Sequence, residues 1–314
     1  GETVAVTGAS GYLGSAILDT LSYLKIPTIA ISRNQVLNRP SMQFIQEDVN
    51  NYECWTKILE KSTIVIHLAG NTSVVQANKY PTESLNSTLI PLIYLCRAAK
   101  EAFKRPRLVY SSTATVYGTA KTLPVEEATH SNPITYYDLH KKFAEEHIAM
   151  ATNQNLIDGI CLRLSNVYGV SSSQSSSKDR GVLNKVATMA LQQKDLTIYG
   201  DGGYLRDYIY ISDVVSAFLQ ACAIPGRGGR VFNVGSGVGT SIKNAFKLVK
   251  DHAMNVTGKC VTIEYLPWPS NSNPIEYRNF IASIDNFKHE ACWEPSVKLS
   301  EGIKSMLSDL MAIQ

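Results

Sequence analysis

The chain has 314 residues, enough to bury one large core or two modest ones, and a net charge of +3 with no block of Lys and Arg. That balance implies no nucleic-acid partner. No apolar run reaches membrane-spanning length and the first strand pattern begins almost at once, leaving no room for a signal peptide, so a cytoplasmic protein with no membrane partner is expected.

The first pattern is Thr3-Val4-Ala5-Val6, an apolar strand, followed by the glycine run Thr7-Gly8-Ala9-Ser10-Gly11-Tyr12-Leu13-Gly14. Leu13, Ile17, Leu18, Leu21 and Leu24 then recur at helical spacing. Strand, glycines and helix in this order are the context of the dinucleotide fingerprint, in which glycines let the backbone turn tightly and approach a pyrophosphate at the helix N-terminus. A plain strand-to-helix turn would explain one glycine, not three. Further strands are expected at Val4–Thr7, Thr28–Ser32, Ile64–Leu68, Arg107–Ser111 and Gly159–Leu164, with helical patterns between them. This alternation predicts an α/β fold, a Rossmann-type doubly wound parallel sheet. The run Ile64-Val65-Ile66-His67-Leu68-Ala69-Gly70 is apolar on both faces, and His67 within it reads as a core residue bonded to backbone.

Past Tyr168-Gly169 the polar stretch Ser171–Lys178 lacks an apolar period and reads as a loop, either lid or linker, into a smaller C-terminal mixed α/β substrate-binding domain. The expected division is 1–169 for the dinucleotide and 170–314 for the substrate, with 207–237 returning to the first. Within the latter, Arg206–Tyr210 reads as a strand, Ser212-Asp213-Val214-Val215 as a capped helix start, and Arg230–Gly237 as strand and turn. Cys54, Cys96, Cys161, Cys222, Cys260 and Cys292 are dispersed, read as buried small residues in a reducing compartment, and form no metal-ligand grouping with the histidines.

Tyr137 and Lys141 stand four apart in Tyr-Tyr-Asp-Leu-His-Lys, on one face of a helix. A cation beside a phenol favours phenolate, so a group with an ordinary pKa of about 10 would exchange protons near neutrality. With the glycine run, the pair points to hydride chemistry.

Taken together, these motifs resemble the extended short-chain dehydrogenase/reductase family of nucleotide-sugar epimerases, dehydratases and reductases. The resemblance runs through Thr7–Gly14, Asp48-Val49, His67–Gly70, Ser111–Gly118, Tyr137–Lys141, Arg163–Gly169, Leu196–Gly202, Arg206–Tyr208 and, more sparsely, Tyr277-Arg278 and Trp293-Glu294-Pro295. It implies that Tyr137 exchanges a proton with a sugar hydroxyl or carbonyl, that Lys141 lowers the tyrosine pKa and holds the nicotinamide ribose, and that Thr113, rather than Ser112, hydrogen-bonds the reacting oxygen. It implies cofactor contacts at Gly8, Gly11, Tyr12, Leu13, Gly14, Ser32, Arg33, Asp48, Val49, Leu68, Ala69 and Gly70, besides Tyr137 and Lys141. On the substrate side it implies Asn166, Val182, Tyr199 stacking on the base, and Arg206 and Arg278 clamping the diphosphate of a nucleotide sugar. It also implies a homodimer through the helices holding Leu85–Lys100 and Tyr137–Ala151.

Two departures narrow the reaction. Where dehydratases of the family carry an acidic pair, this chain has Ala114 and Thr115, which disfavours 4,6-dehydration; the surrounding Ser-Ser-Thr-Ala-Thr-Val-Tyr-Gly looks like that of C4 epimerases. Where NAD-binding members end their second strand in Asp or Glu, this chain has Ser32-Arg33, a hydroxyl and a guanidinium for a 2′-phosphate, so NADP is favoured over NAD. A reductase must exchange NADPH at each turnover, whereas an epimerase gains from retaining NAD. The leading expectation is therefore a nucleotide 4-keto-sugar reductase, with a C4 epimerase as the alternative and an inactive dinucleotide sensor as a remote third. A sensor has no need of Thr113, Tyr137, Lys141 and an arginine clamp together.

Overall fold

The computed structural model describes residues 2–171, 181–224, 229–270 and 272–313. In chain order the elements are β1 (Val4–Thr7), α1 (Tyr12–Tyr23), β2 (Thr28–Ser32), β3 (Met42–Gln46), α2 (Tyr52–Lys61), β4 (Ile64–His67), α3 (Val74–Lys79), α4 (Pro81–Glu101), β5 (Arg107–Thr113), α5 (Tyr136–Asn153), β6 (Asp158–Leu164) and β7 (Asn166–Tyr168). There follow α6 (Val182–Leu191), β8 (Leu196–Tyr199), β9 (Leu205–Tyr210), α7 (Ile211–Ala223), β10 (Arg230–Val234), β11 (Gly239–Ser241), α8 (Ile242–Thr257), β12 (Ile263–Leu266), α9 (Asp285–Ala291) and α10 (Leu299–Ile313).

Seven strands form one parallel sheet in the order β10-β6-β5-β4-β1-β2-β3. Every residue of β1 and β2 is buried, because helices cover both faces, and apolar runs without alternation are the sequence mark of such strands. α1 and α7 pack on one face, where Ile17, Leu18 and Leu21 meet Val214 and Phe218. On the other, Trp55 and Ile58 of α2 and Leu92 and Leu95 of α4 bury Ile29, Ile31 and Val65. The winding reverses between β1 and β4, which opens a crevice at their C-terminal ends, the place where ligands bind in open α/β sheets.

A second core lies among α6, α8 and α10, with Leu183, Ala187, Phe246, Val249, Ile303 and Leu307 at its centre. Against it stand a three-stranded sheet, β11-β9-β7, and a two-stranded one, β12-β8.

Several details differ from the sequence reading. β3 adds a strand at the sheet edge, and β5 runs two residues further than expected, to Thr113. Leu24 is half exposed at the C-cap of α1 rather than inward. α7 begins at Ile211 with no side-chain cap; Asp213 instead accepts from Ser296 and Val297, tying α7 to the C-terminal segment. His67 is fully buried, but its Nδ1 meets the Thr7 hydroxyl at 2.7 Å rather than backbone. Cys54, Cys96 and Cys161 are buried, Cys222 is partly so, and Cys260 and Cys292 are exposed. Of the polar stretch expected as a loop, 172–178 lie outside the described residues. Among the described residues no helix is long and apolar enough to cross a membrane, and no group of three His, Cys, Asp or Glu could hold a metal ion.

Candidate active site

At the crevice the backbone is bare. Gly8 follows β1 with φ +67°, and a Cβ there would stand 2.8 Å from the Ala69 nitrogen. A Cβ on Gly14 would collide with the Gly8 carbonyl oxygen, so only glycine lets α1 approach β1 this closely. Gly11 is the N-cap of α1, and it supplies no side chain to cap the first turn. Leu68 and Ala69 donate to Thr7 at 3.2–3.3 Å, fixing the end of β4 beside the turn, and Gly70 follows with φ +145°. A bare turn, a helix N-terminus with no side-chain cap and a crevice at the strand ends fit a dinucleotide pyrophosphate. Tyr12 donates to Gly169 O at 2.7 Å, and the Ser15 and Ser171 hydroxyls are 2.6 Å apart, so α1 is held against the start of the second core. Leu13 packs partly buried against the first.

At the end of β2 the Ser32 hydroxyl is buried, 2.6 Å from Ser10 Oγ, and accepts the Asn34 N–H at 3.2 Å. It is therefore engaged, not free as the sequence reading assumed. Arg33 is exposed, and its backbone oxygen accepts from the Gln46 side chain at 3.0 Å. Asp48 accepts from Asn50 N at 2.9 Å, and the Val49 carbonyl accepts from buried Trp55 at 2.8 Å, so this turn is anchored to α2.

Across the crevice, α5 opens with a capping box in which Thr135 and Asp138 each accept the other's backbone N–H. Tyr137 is in the first turn and Lys141 one turn later. Thr113, the last residue of β5, stands beside the Tyr137 phenol and acts to lower its pKa. Its neighbour Ser112 faces the other side of the strand, as alternation requires, and donates to Glu145 at 2.6 Å; Glu145 also pairs with Arg163 at 2.9 and 2.6 Å. Ser112 is thus committed to the core.

The Lys141 ammonium donates to the Ser111 carbonyl at 2.8 Å and lies 4.7 Å from the centre of the Tyr110 ring. Burial pushes it down to about 8. Tyr137 is pushed up to about 12, by burial first and by the Asp138 carboxylate second, with the Thr113 side chain partly offsetting them. This corrects the expectation that Lys141 lowers the tyrosine pKa: in this arrangement the ammonium is engaged by a backbone carbonyl, and burial and Asp138 dominate.

On the far side, Arg206 is buried and donates to the backbone oxygens of Leu205 and Arg278 and, at 2.7 Å, of Glu276. Arg278 donates to Ile275 O at 2.8 Å and is pushed down to about 10 by burial and by the charge of Arg206. Among the described residues neither guanidinium has a carboxylate partner in an ion pair, so two cations stand together on a bed of carbonyls. That arrangement suits a diphosphate.

Beside it lies a pocket of about 200 Å³ lined by Asn166, Val182 and Tyr208 among others, and the buried Tyr208 hydroxyl has no partner among the described residues. Tyr208 was passed over in the sequence, although it follows Arg206-Asp207 and lies opposite Asn166 in the parallel pairing. Tyr199 is 41 % exposed and leans on Trp268, which also meets Tyr204 and Tyr277. Trp268 was missed as well; an isolated Trp between two prolines carries no periodic signal.

The sheet, the glycine turn and the Thr-Tyr-Lys set define a short-chain dehydrogenase/reductase of the extended type. A model of the NAD dependent epimerase/dehydratase family matches residues 4–235, and the chain belongs to that family. It is 28% identical to a putative UDP-glucose 4-epimerase of Methanocaldococcus jannaschii over 97% of both chains. It is 29% identical to a UDP-glucose 4-epimerase of Mycolicibacterium smegmatis over 95% of both. Among solved structures it resembles the UDP-glucose 4-epimerase of Thermotoga maritima with UDP-glucose, at TM-score 0.86 and 28% identity over 99% of both chains. It also resembles the UDP-glucuronic acid 4-epimerase of Bacillus cereus in complex with UDP-glucuronic acid and NAD, at TM-score 0.85 and 25% identity over 99% and 100%.

Proposed function

We propose that the protein interconverts the C4 epimers of a UDP-linked hexose, with NAD held at the crevice of the seven-stranded sheet. One observation carries this reading: the Asp138 carboxylate, next to Tyr137, lies near enough to act on the Arg278 guanidinium, so the diphosphate clamp and the proton-exchanging tyrosine face one site. The full-length relatives support epimerisation over the 4-keto-sugar reductase that Ser32-Arg33 favoured, and NAD over NADP.

Gly8, Gly11, Tyr12, Leu13 and Gly14 would hold the pyrophosphate. Asp48, Val49, Leu68, Ala69 and Gly70 would line the adenosine and ribose side. Bound there, NAD would supply a hydride acceptor and donor for C4 of the sugar. Tyr137 takes the proton of the 4-hydroxyl and gives it back to the carbonyl oxygen, Thr113 holds that oxygen, and Lys141 would hold the nicotinamide ribose. Arg206 and Arg278 grip the diphosphate, Tyr199 meets the base, and Asn166 and Val182 line the pocket beside them. Residues 1–169 with 207–237 form the dinucleotide part in this reading, and the rest of 170–314 the sugar part. Exposed Ile93, Phe143 and Met150 on α4 and α5 are the face on which a second copy would pack.

The reductase remains a second reading on the strength of the exposed Arg33. Incubation with UDP-galactose decides between them: the epimerase yields UDP-glucose without net use of dinucleotide. Consumption of NADPH on a 4-keto nucleotide sugar, with no interconversion, would establish the reductase.

A further inference from the structure

Thr7, His67, Tyr110 and Cys161 are register partners across β1, β4, β5 and β6, so their side chains leave the sheet on one face, the one that α2, α4 and α5 cover. The His67 ring stacks with that of Tyr110, centroids 5.8 Å apart and planes at 26°, and Trp55 of α2 lies 5.5 Å from His67. All three rings are buried. Onto this row α5 brings Lys141. Its ammonium stands over the Tyr110 ring, 4.7 Å from the centre, and donates to the Ser111 carbonyl at 2.8 Å.

The row carries no charge of its own. The Thr7 hydroxyl accepts the Leu68 and Ala69 N–H groups, so its single proton goes to His67 Nδ1, 2.7 Å away, and the imidazole keeps its hydrogen on Nε2. Burial, and then the Lys141 charge, hold His67 down to about 3, so it stays neutral. Burial likewise raises the Tyr110 phenol well above its ordinary value. Tyr110 therefore meets the ammonium as a neutral ring, and the face of such a ring is the negative side of its quadrupole.

We propose that Tyr110 is a positioning residue for Lys141, its ring face, fixed by the stack with His67 and Trp55, seating the ammonium at the end of β5. The proposal rests on the reading of Lys141 as the residue that would hold the nicotinamide ribose. A buried lysine on a flexible stem must be both placed and kept protonated to donate to a ribose hydroxyl. Burial works against the second need, pushing Lys141 down to about 8. Among the described residues no carboxylate lies within ion-pair distance of it. Glu145, further along α5, is paired with Arg163 of β6 at 2.6 Å, and burial keeps the Cys161 thiol of β6 neutral; both favour the charged lysine, as the ring does. One turn back on α5, Tyr137 is a neutral phenol and Asp138 is engaged by the Thr135 N–H at 3.1 Å. The Tyr110 face and the Ser111 carbonyl are thus the two fixed neighbours that set where the ammonium sits.

The test is a titration of Lys141 by NMR in the whole protein, freed of bound nucleotide and isotope-labelled at the lysine Cε carbons, whose chemical shifts follow the charge of each amine. Lys141→Met identifies the signal. Tyr110→Phe deletes only the hydroxyl and should leave the midpoint in place. Fluorine added stepwise to the ring of that Phe keeps its shape and drains its face of negative potential. The midpoint should then fall step by step, and with the trifluoro ring the ratio of charged to neutral Lys141 at fixed pH should be lower by about fivefold or more. A ring with only a packing role gives a flat series, so a flat or rising series overturns the proposal. A midpoint that falls as far with Tyr110→Phe overturns it too, since the hydroxyl and not the face would then be at work. Calorimetric affinity for NAD near the wild-type midpoint should weaken in the order of the fluorine series. Should Lys141→Met bind NAD as wild type does, Lys141 is not the ribose residue and that reading fails, while the titration still answers for Tyr110.

Discussion

Arg206 donates through Nη1 to the backbone oxygen of Arg278, so two half-paired cations are joined by main chain rather than by a carboxylate. Burial lowers both, and each is satisfied in part by carbonyls that cost little to leave in place when an anion arrives. The pair is a site prepared for negative charge.

Arg206→Ala should weaken binding of UDP-hexose by about 2 to 4 kcal/mol, because a desolvated charge pair is lost from the nucleotide-sugar side. Dinucleotide affinity should hardly change. Calorimetric titration of each ligand into wild type and variant checks this, and an equal loss of both would remove Arg206 from the clamp.

Tyr137→Phe removes one hydroxyl and little volume. Turnover should fall by about a hundredfold or more with dinucleotide affinity nearly intact. Since Tyr137 sits near 12, the alcohol-oxidising step in wild type should quicken as pH rises, and that dependence should vanish in the variant. Single-turnover nicotinamide absorbance across pH gives the answer; a near-normal rate in Tyr137→Phe would end its role as proton exchanger.

Much of this site was legible in one dimension because its residues lie at strand ends and helix starts, where glycine, hydroxyl and cap signals are local. β1, β2 and β4 could be read because burial on both faces produces unbroken apolar runs. β3 could not: Met-Gln-Phe-Ile-Gln is half-exposed at the sheet edge and has no such run. The orientation of Lys141 was also hidden. Spacing placed its ammonium on the face of Tyr137, but the Ser111 carbonyl of a separate strand holds it. Trp268 reaches Tyr199 only because β12 pairs with β8 far along the chain.

The Glu145–Arg163 pair was equally invisible, since its partners meet through the packing of α5 on β6. Both side chains are almost wholly buried, and Glu145 also takes the Ser112 proton. Glu145→Ala should destabilise the fold by about 3 to 5 kcal/mol, as it leaves a buried guanidinium uncompensated. Replacing Arg163 by Met in the same background should recover part of that loss. Chemical denaturation of wild type and the two variants tests this, and a Glu145→Ala loss below about 1 kcal/mol would mean that solvent reaches the pair.

The cofactor is the remaining choice, and it turns on the end of β2. The Ser32 hydroxyl is buried against Ser10 and accepts the Asn34 N–H, so it can serve a ribose hydroxyl as a neutral partner but offers no charge to a phosphate. Arg33 alone could do that, and it is a solvent-exposed side chain whose contribution water and salt would reduce. NAD should therefore bind at least as tightly as NADP, and protein purified without added cofactor should carry NAD. Ser32→Asp should strengthen NAD and weaken NADP, separating them by about tenfold or more, equivalent to about 1.4 kcal/mol, since the carboxylate accepts from the 2′-hydroxyl and repels a 2′-phosphate. Arg33→Ala should leave NAD affinity unchanged. Titration of wild type and both variants with each dinucleotide, after removal of bound nucleotide, gives the ratios directly. If wild type prefers NADP and Arg33→Ala abolishes the preference, the guanidinium reads the 2′-phosphate, and the reductase becomes the better account of the chain.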